Sequence, residues 1–126
     1  MPVNINSLNR PIENPASFID RLRLQTPRIP VTVILIAANL LVFVAMLGCG
    51  AGLWHSPNNI QMEWGANFAP ATEDGEWWRL GSALFLHFGL LHLATNMLAL
   101  ADAGHLVERM FGHFRFAAVY FASGIT

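Results

Sequence analysis

The chain contains no lysine and only one cysteine, and 12% of its 126 residues are charged. Without lysine, and with a formal net charge of -1, it offers no basic surface for nucleic acid and no acidic run that would solvate a tail. Nucleic acid is therefore excluded as a partner. A lone cysteine forms no intrachain disulfide, and Cys49 sits at the end of an apolar run, where its plain reading is a small buried hydrophobe. Met46-Leu47-Gly48-Cys49 loosely matches a lipoprotein cleavage box. However, Leu47 stands where a small residue is usual, and the polar segment ahead of the run is long for a signal peptide.

What the chain has instead is apolar surface: 54% hydrophobic residues and a mean hydropathy of +0.43, the balance of a membrane protein. Residues 1–28 carry scattered prolines and no sustained period, so they read as a largely irregular arm outside the membrane. A short amphipathic helix is expected around Ser17 to Leu24, lying at the membrane surface. From Ile29 to Leu53 no residue is charged, and about 25 residues rising 1.5 Å each exceed a hydrocarbon core of ~30 Å. That stretch is the first expected transmembrane helix. Its one strongly polar residue, Asn39, is expected to bind helix to helix. Arg21, Arg23 and Arg28 precede it, whereas Glu63, Glu73, Asp74 and Glu76 follow it against Arg79 alone, which places the N-terminus in the cytoplasm.

Residues 54–89 then form a loop on the far side, with Trp54, Trp64, Trp77 and Trp78 suited to a membrane interface. Within it Glu76 to Leu86 reads as a short interfacial helix, and the plain role for Arg79 is a rim charge reaching toward headgroups. A second spanning helix is expected over 90–111. A third apolar run, 114–126, holds 13 residues, too few to cross. A helix cut inside the bilayer leaves its last carbonyls without partners, so the chain is expected to be the N-terminal part of a longer protein.

One polar cluster interrupts this pattern. His92 and Asn96 lie one turn apart on a single helical face, and His87 precedes them by roughly a turn and a half. Polar side chains inside a membrane helix are costly and face a protein interior or a water-filled cavity. Two imidazoles and a carboxamide near the outer face can donate hydrogen bonds to an oxygen that becomes negative during acyl transfer. They can also form a structural seam between helices or, less naturally, hold a metal or haem, although the His87 to His92 spacing is not that of a helical metal pair. His55, His105 and His113 lie far from both, and no zinc signature is present.

In order, Trp78-Arg79, His87-x-x-x-x-His92-x-x-x-Asn96 and Gly104-x-x-x-Glu108-x-x-x-Gly112 resemble the motifs of the rhomboid family of intramembrane serine proteases, over about residues 29 to 126. Any one of them alone is weak; together they are specific. The resemblance implies an all-α membrane protein, an incomplete rhomboid-like helical bundle: two full transmembrane helices, a half-buried loop with a short interfacial helix, and a truncated third helix. It implies that His92 and Asn96 help form an oxyanion hole with His87 in support, that Trp78 and Arg79 shape the loop, and that Gly104, Glu108 and Gly112 anchor the far end of the second helix. Glu108 is about 24 Å from His92 at 1.5 Å per residue, too far to share its chemistry.

The family's nucleophile is a serine in Gly-x-Ser-Gly opening its fourth helix, and its base is a histidine on the sixth; neither segment is in this sequence. Ser123-Gly124 is no substitute, because Phe121 stands where the first glycine belongs. The resemblance thus implies a serine endopeptidase that needs no cofactor or metal and cuts transmembrane proteins in the bilayer. This chain would supply only the oxyanion-hole side, inactive without the remaining helices of the bundle. The alternative is a non-catalytic rhomboid-like protein that binds transmembrane segments.

Overall fold

The computed structural model describes residues 15–125, so the first half of the expected arm, residues 1–14, and Thr126 lie outside the described residues. Seven helices follow in order: α1 Pro15–Gln25, α2 Pro30–Gly48, α3 Asn58–Glu63, α4 Ala69–Glu73, α5 Trp78–Ser82, α6 Leu90–Phe111 and α7 His113–Ile125. A 3-10 turn, Ala83–Phe85, extends α5. No strand occurs among the described residues.

Helices α2 and α6 are long and apolar enough to cross a membrane. Only 28% and 11% of their most apolar windows are buried within the chain, whereas the core helix of a soluble domain would be mostly buried. On α2 the buried residues Thr32, Leu35, Asn39, Phe43 and Met46 follow a three-to-four spacing, a single stripe facing the chain's own core. Val33, Ile34, Leu41 and Val44 are exposed on the other faces. A helix apolar all round, with one stripe packed against protein, has the surface a lipid environment demands.

The helix expected over 29–53 closes at Gly48, five residues before Leu53. Its last carbonyls are taken by a Schellman turn, in which Ala51 N donates to Met46 O (2.9 Å) and Gly50 N to Leu47 O (3.2 Å). Gly50 provides the positive φ of +96° that this turn requires. Cys49 lies past the helix end and is exposed, a correction to its expected burial. The amphipathic helix near the N-terminus runs Pro15–Gln25 and sets the buried Leu22 on its inner face; α1 rests against α6. Asn39 also differs from expectation. Its Nδ2 donates to Leu35 O one turn earlier in the same helix (2.7 Å), and its buried Oδ1 has no partner among the described residues.

The arginine-rich end of the bundle is closed by Glu108, fully buried on α6. Pro30 at the first position of α2 has no N–H, and the next two amides have no partner within the helix. Val31 N donates to Glu108 Oε1 (3.0 Å), and Thr32 donates to Oε2 through its N (2.7 Å) and Oγ1 (2.6 Å). A carboxylate from a residue 76 positions away thus caps a helix whose own N-cap, Ile29, has no side-chain acceptor. His113 Nδ1 lies 2.6 Å from Glu108 Oε1 and ties the start of α7 to the same group.

Gly104, one turn before Glu108, makes this approach possible. A Cβ there would lie 2.7 Å from Thr32 Oγ1 and 3.2 Å from Phe116 Cζ, so any side chain would push α2 and α7 off α6. The third residue of the spacing, Gly112, sits in the turn between α6 and α7, where Phe116 N donates to its carbonyl (3.1 Å).

Candidate oxyanion-binding site

The mouth of α6 is built by two strips of backbone. Leu90 N donates to Leu53 O (2.8 Å) and Ser56 N to Phe88 O (2.7 Å), so residues 53–56 run beside 88–90. Gly89 lies against the Trp54 carbonyl, where a Cβ has no room. Gln61, buried on α3, donates through Nε2 to His87 O (3.1 Å). These contacts fix the backbone just ahead of α6 and therefore the direction of His87.

The His87 ring is buried, with Nδ1 3.3 Å from Phe85 O. A proton on Nδ1 satisfies that carbonyl and leaves Nε2 as an acceptor. Burial pushes the His87 imidazole below the usual histidine value; the bond to Phe85 O opposes this, and the nearby His92 adds to it. The His87 and His92 ring centroids are 5.2 Å apart, and Phe88 stacks on His92 at 5.8 Å.

One turn into α6, His92 Nε2 lies 3.1 Å from Asn96 Nδ2. With the amide donating, the His92 proton is on Nδ1, and the second amide hydrogen of Asn96 remains available. Both side chains are exposed. The structure brings His87, His92 and Asn96 together as a graded set, with a buried anchor leading to two outward donors.

Arg79 takes a different role from a charge reaching for headgroups. It is half-buried, and its Nη1 donates to Met62 O (2.9 Å) and Ala66 O (3.2 Å) at the end of α3, while Nε pairs with Glu76. Its guanidinium lies 4.7 Å from the Trp78 ring centroid. Beside it the φ of +92° at Gly65 turns the chain under Trp78, and Ser82 Oγ donates to Gly65 O (2.7 Å). Trp78, Arg79 and Ser82 together hold the α3 turn, and α3 carries the Gln61 that holds His87. Gln61, Thr32 and His113 escaped the sequence reading because their partners lie 26, 76 and 5 residues away with no periodic signal. Among the described residues, no three His, Cys, Asp or Glu side chains gather as a metal-binding group.

Residues 74–126 match the Rhomboid domain family model. The chain is 33% identical to Rhomboid protease AarA of Providencia stuartii over 113 residues, covering 90% of this chain. The chain belongs to the rhomboid family. It is also 50% identical over 62 residues, 49% of its length, to Rhomboid protease GluP of Bacillus subtilis. To Inactive RHOMBOID-like protein 8 of Arabidopsis thaliana it is 37% identical over 70 residues, 56% of its length. The matched regions span 40%, 12% and 20% of these three rhomboid relatives. No solved structure matches the chain. Family membership, with two apolar helices whose surfaces face outward, makes this rhomboid chain an integral membrane protein.

Proposed function

We propose that this chain forms the oxyanion-binding wall of a rhomboid-type intramembrane serine endopeptidase acting on transmembrane proteins. The observation that carries the reading is the exposed His92–Asn96 pair, locked at 3.1 Å with one N–H on each side chain left to donate. As a peptide carbonyl becomes tetrahedral, its oxygen gains charge, and donors already oriented toward it need no reorganisation at that moment. His87 supports the pair from a buried position, with its direction set by Gln61 and Phe85. On this reading the serine that forms the acyl-enzyme and the histidine that activates it are supplied by other helices of the bundle. Neither a metal nor a cofactor takes part. The arginines before α2 support a cytoplasmic N-terminus, with His92 and Asn96 toward the opposite face.

A second reading is a rhomboid-like protein that binds transmembrane segments without cutting them, favoured by the similarity to Inactive RHOMBOID-like protein 8. A serine-directed fluorophosphonate separates the two. The full-length protein should be labelled on one serine outside residues 1–126; a folded protein that stays unlabelled supports the non-cutting reading and contradicts the protease.

A further inference from the structure

Arg21, Arg23, Arg28, Arg109 and Arg115 all lie at the same end of the bundle, where α1, α2, α6 and α7 meet. The carboxylates beside them are occupied. Asp20 pairs with Arg23 (3.7 Å), and Glu108 is taken by Val31, Thr32 and His113. Arg109 donates to Thr26 O and to Pro27 O. Arg28 makes no hydrogen bond or ion pair among the described residues, and it is exposed.

Two cleft regions share this residue. One, of about 540 Å³, is lined by Gln25, Thr26, Pro27, Arg28, Gly112 and His113, and mixes polar and apolar surface. The other, of about 380 Å³, runs from Arg28 along Ile29, Pro30, Val33 and Ile34, the outward apolar face of α2. A cation thus stands at the junction of a polar cleft and an apolar groove, at the end of a membrane-crossing helix.

We propose that this junction binds an anionic phospholipid, with its phosphate on the Arg28 guanidinium, its headgroup in the polar cleft and one acyl chain along Ile29, Val33 and Ile34. Charge complementarity and the continuity of the two clefts select this occupant. A soluble anion has no use for the groove, and an apolar helix has no use for the unpaired cation. The charge-assisted contact between the guanidinium and the phosphate orients the lipid and holds the link between α1 and α2 against the turn at Gly112.

The test is native mass spectrometry of the full-length protein in maltoside detergent, with phosphatidylglycerol or phosphatidylcholine added. The wild type should retain phosphatidylglycerol about 5-fold better, the equivalent of ~1 kcal/mol for an arginine near an anionic headgroup. Arg28→Gln should abolish that preference, whereas Arg28→Lys should keep most of it. Arg115→Gln removes a charge at the same end without lining either cleft, and should also keep the preference. Equal retention of both lipids by the wild type, survival of the preference in Arg28→Gln, or equal loss in Arg115→Gln overturns the site. Displacement of the lipid by millimolar inorganic phosphate identifies a free-anion site and overturns the lipid assignment.

Discussion

Glu108 and Thr32, 76 residues apart, share two hydrogen bonds of 2.7 and 2.6 Å at the start of α2. The contact joins the two spanning helices through a buried carboxylate, and its value lies in what replacement would leave exposed. Without Glu108, the half-buried amide of Val31 and the buried amide of Thr32 are left with no acceptor. Glu108→Ala should cost about 3 kcal/mol, and Glu108→Gln only somewhat less, because one oxygen cannot serve the four donors that two now share. Thermal unfolding in detergent checks this. A variant as stable as the wild type would remove the capping role.

Gly104 gives a companion prediction. Its missing Cβ is the space that Thr32 occupies, so Gly104→Ala should lower stability by about 1–3 kcal/mol, the usual cost of overpacking. Measured with Thr32→Ala in a double-mutant cycle, the two changes should be strongly non-additive. Simple additivity would mean that the helices do not meet here.

The pH dependence follows from His87. Its folded-state value is below 6.5, so between that value and 6.5 the unfolded chain binds more protons than the folded one. Stability is therefore full above pH 6.5 and declines as pH falls through this window. The decline should be visible in melting temperature against pH and should flatten in His87→Gln. A stability that rises on acidification through the same window contradicts the buried neutral ring.

Arg79 holds three acceptors and faces an indole, a set that a lysine cannot reproduce. Both Arg79→Ala and Arg79→Lys should make the loop between α3 and α5 open to limited proteolysis while α2 and α6 stay helical by circular dichroism. Full rescue by lysine would show that charge alone matters there.

The sequence made the spanning helices and the polar cluster legible because each is a local pattern: an uncharged run, a run bounded by Gly89 and Gly112, and an i, i+4 spacing. The end of α2 was not, since Leu53 is as apolar as Leu47 and only the Gly48-Cys49-Gly50 turn separates them. The partners of Asn39 and Arg79 stay hidden for a related reason. Asn39 can bond the carbonyl one turn back as easily as a neighbouring helix, and Arg79 finds carbonyls 13 and 17 residues away that no spacing rule picks out. Trp78, Arg79, Gly104, Glu108 and Gly112 stood out through family resemblance, but their physical tasks became readable only with Gly65, Thr32 and Phe116 beside them.

The central claim concerns His92 and Asn96, and turnover of a transmembrane substrate by the full-length protein tests it most directly. Asn96→Ala and His92→Ala should each lower kcat by about 10²–10³, the usual loss when an oxyanion donor is removed, with melting temperature almost unchanged because their side-chain hydrogen bond is to each other and not to another helix. Unaltered turnover, or a loss of activity that merely tracks unfolding, would contradict the role assigned to the pair.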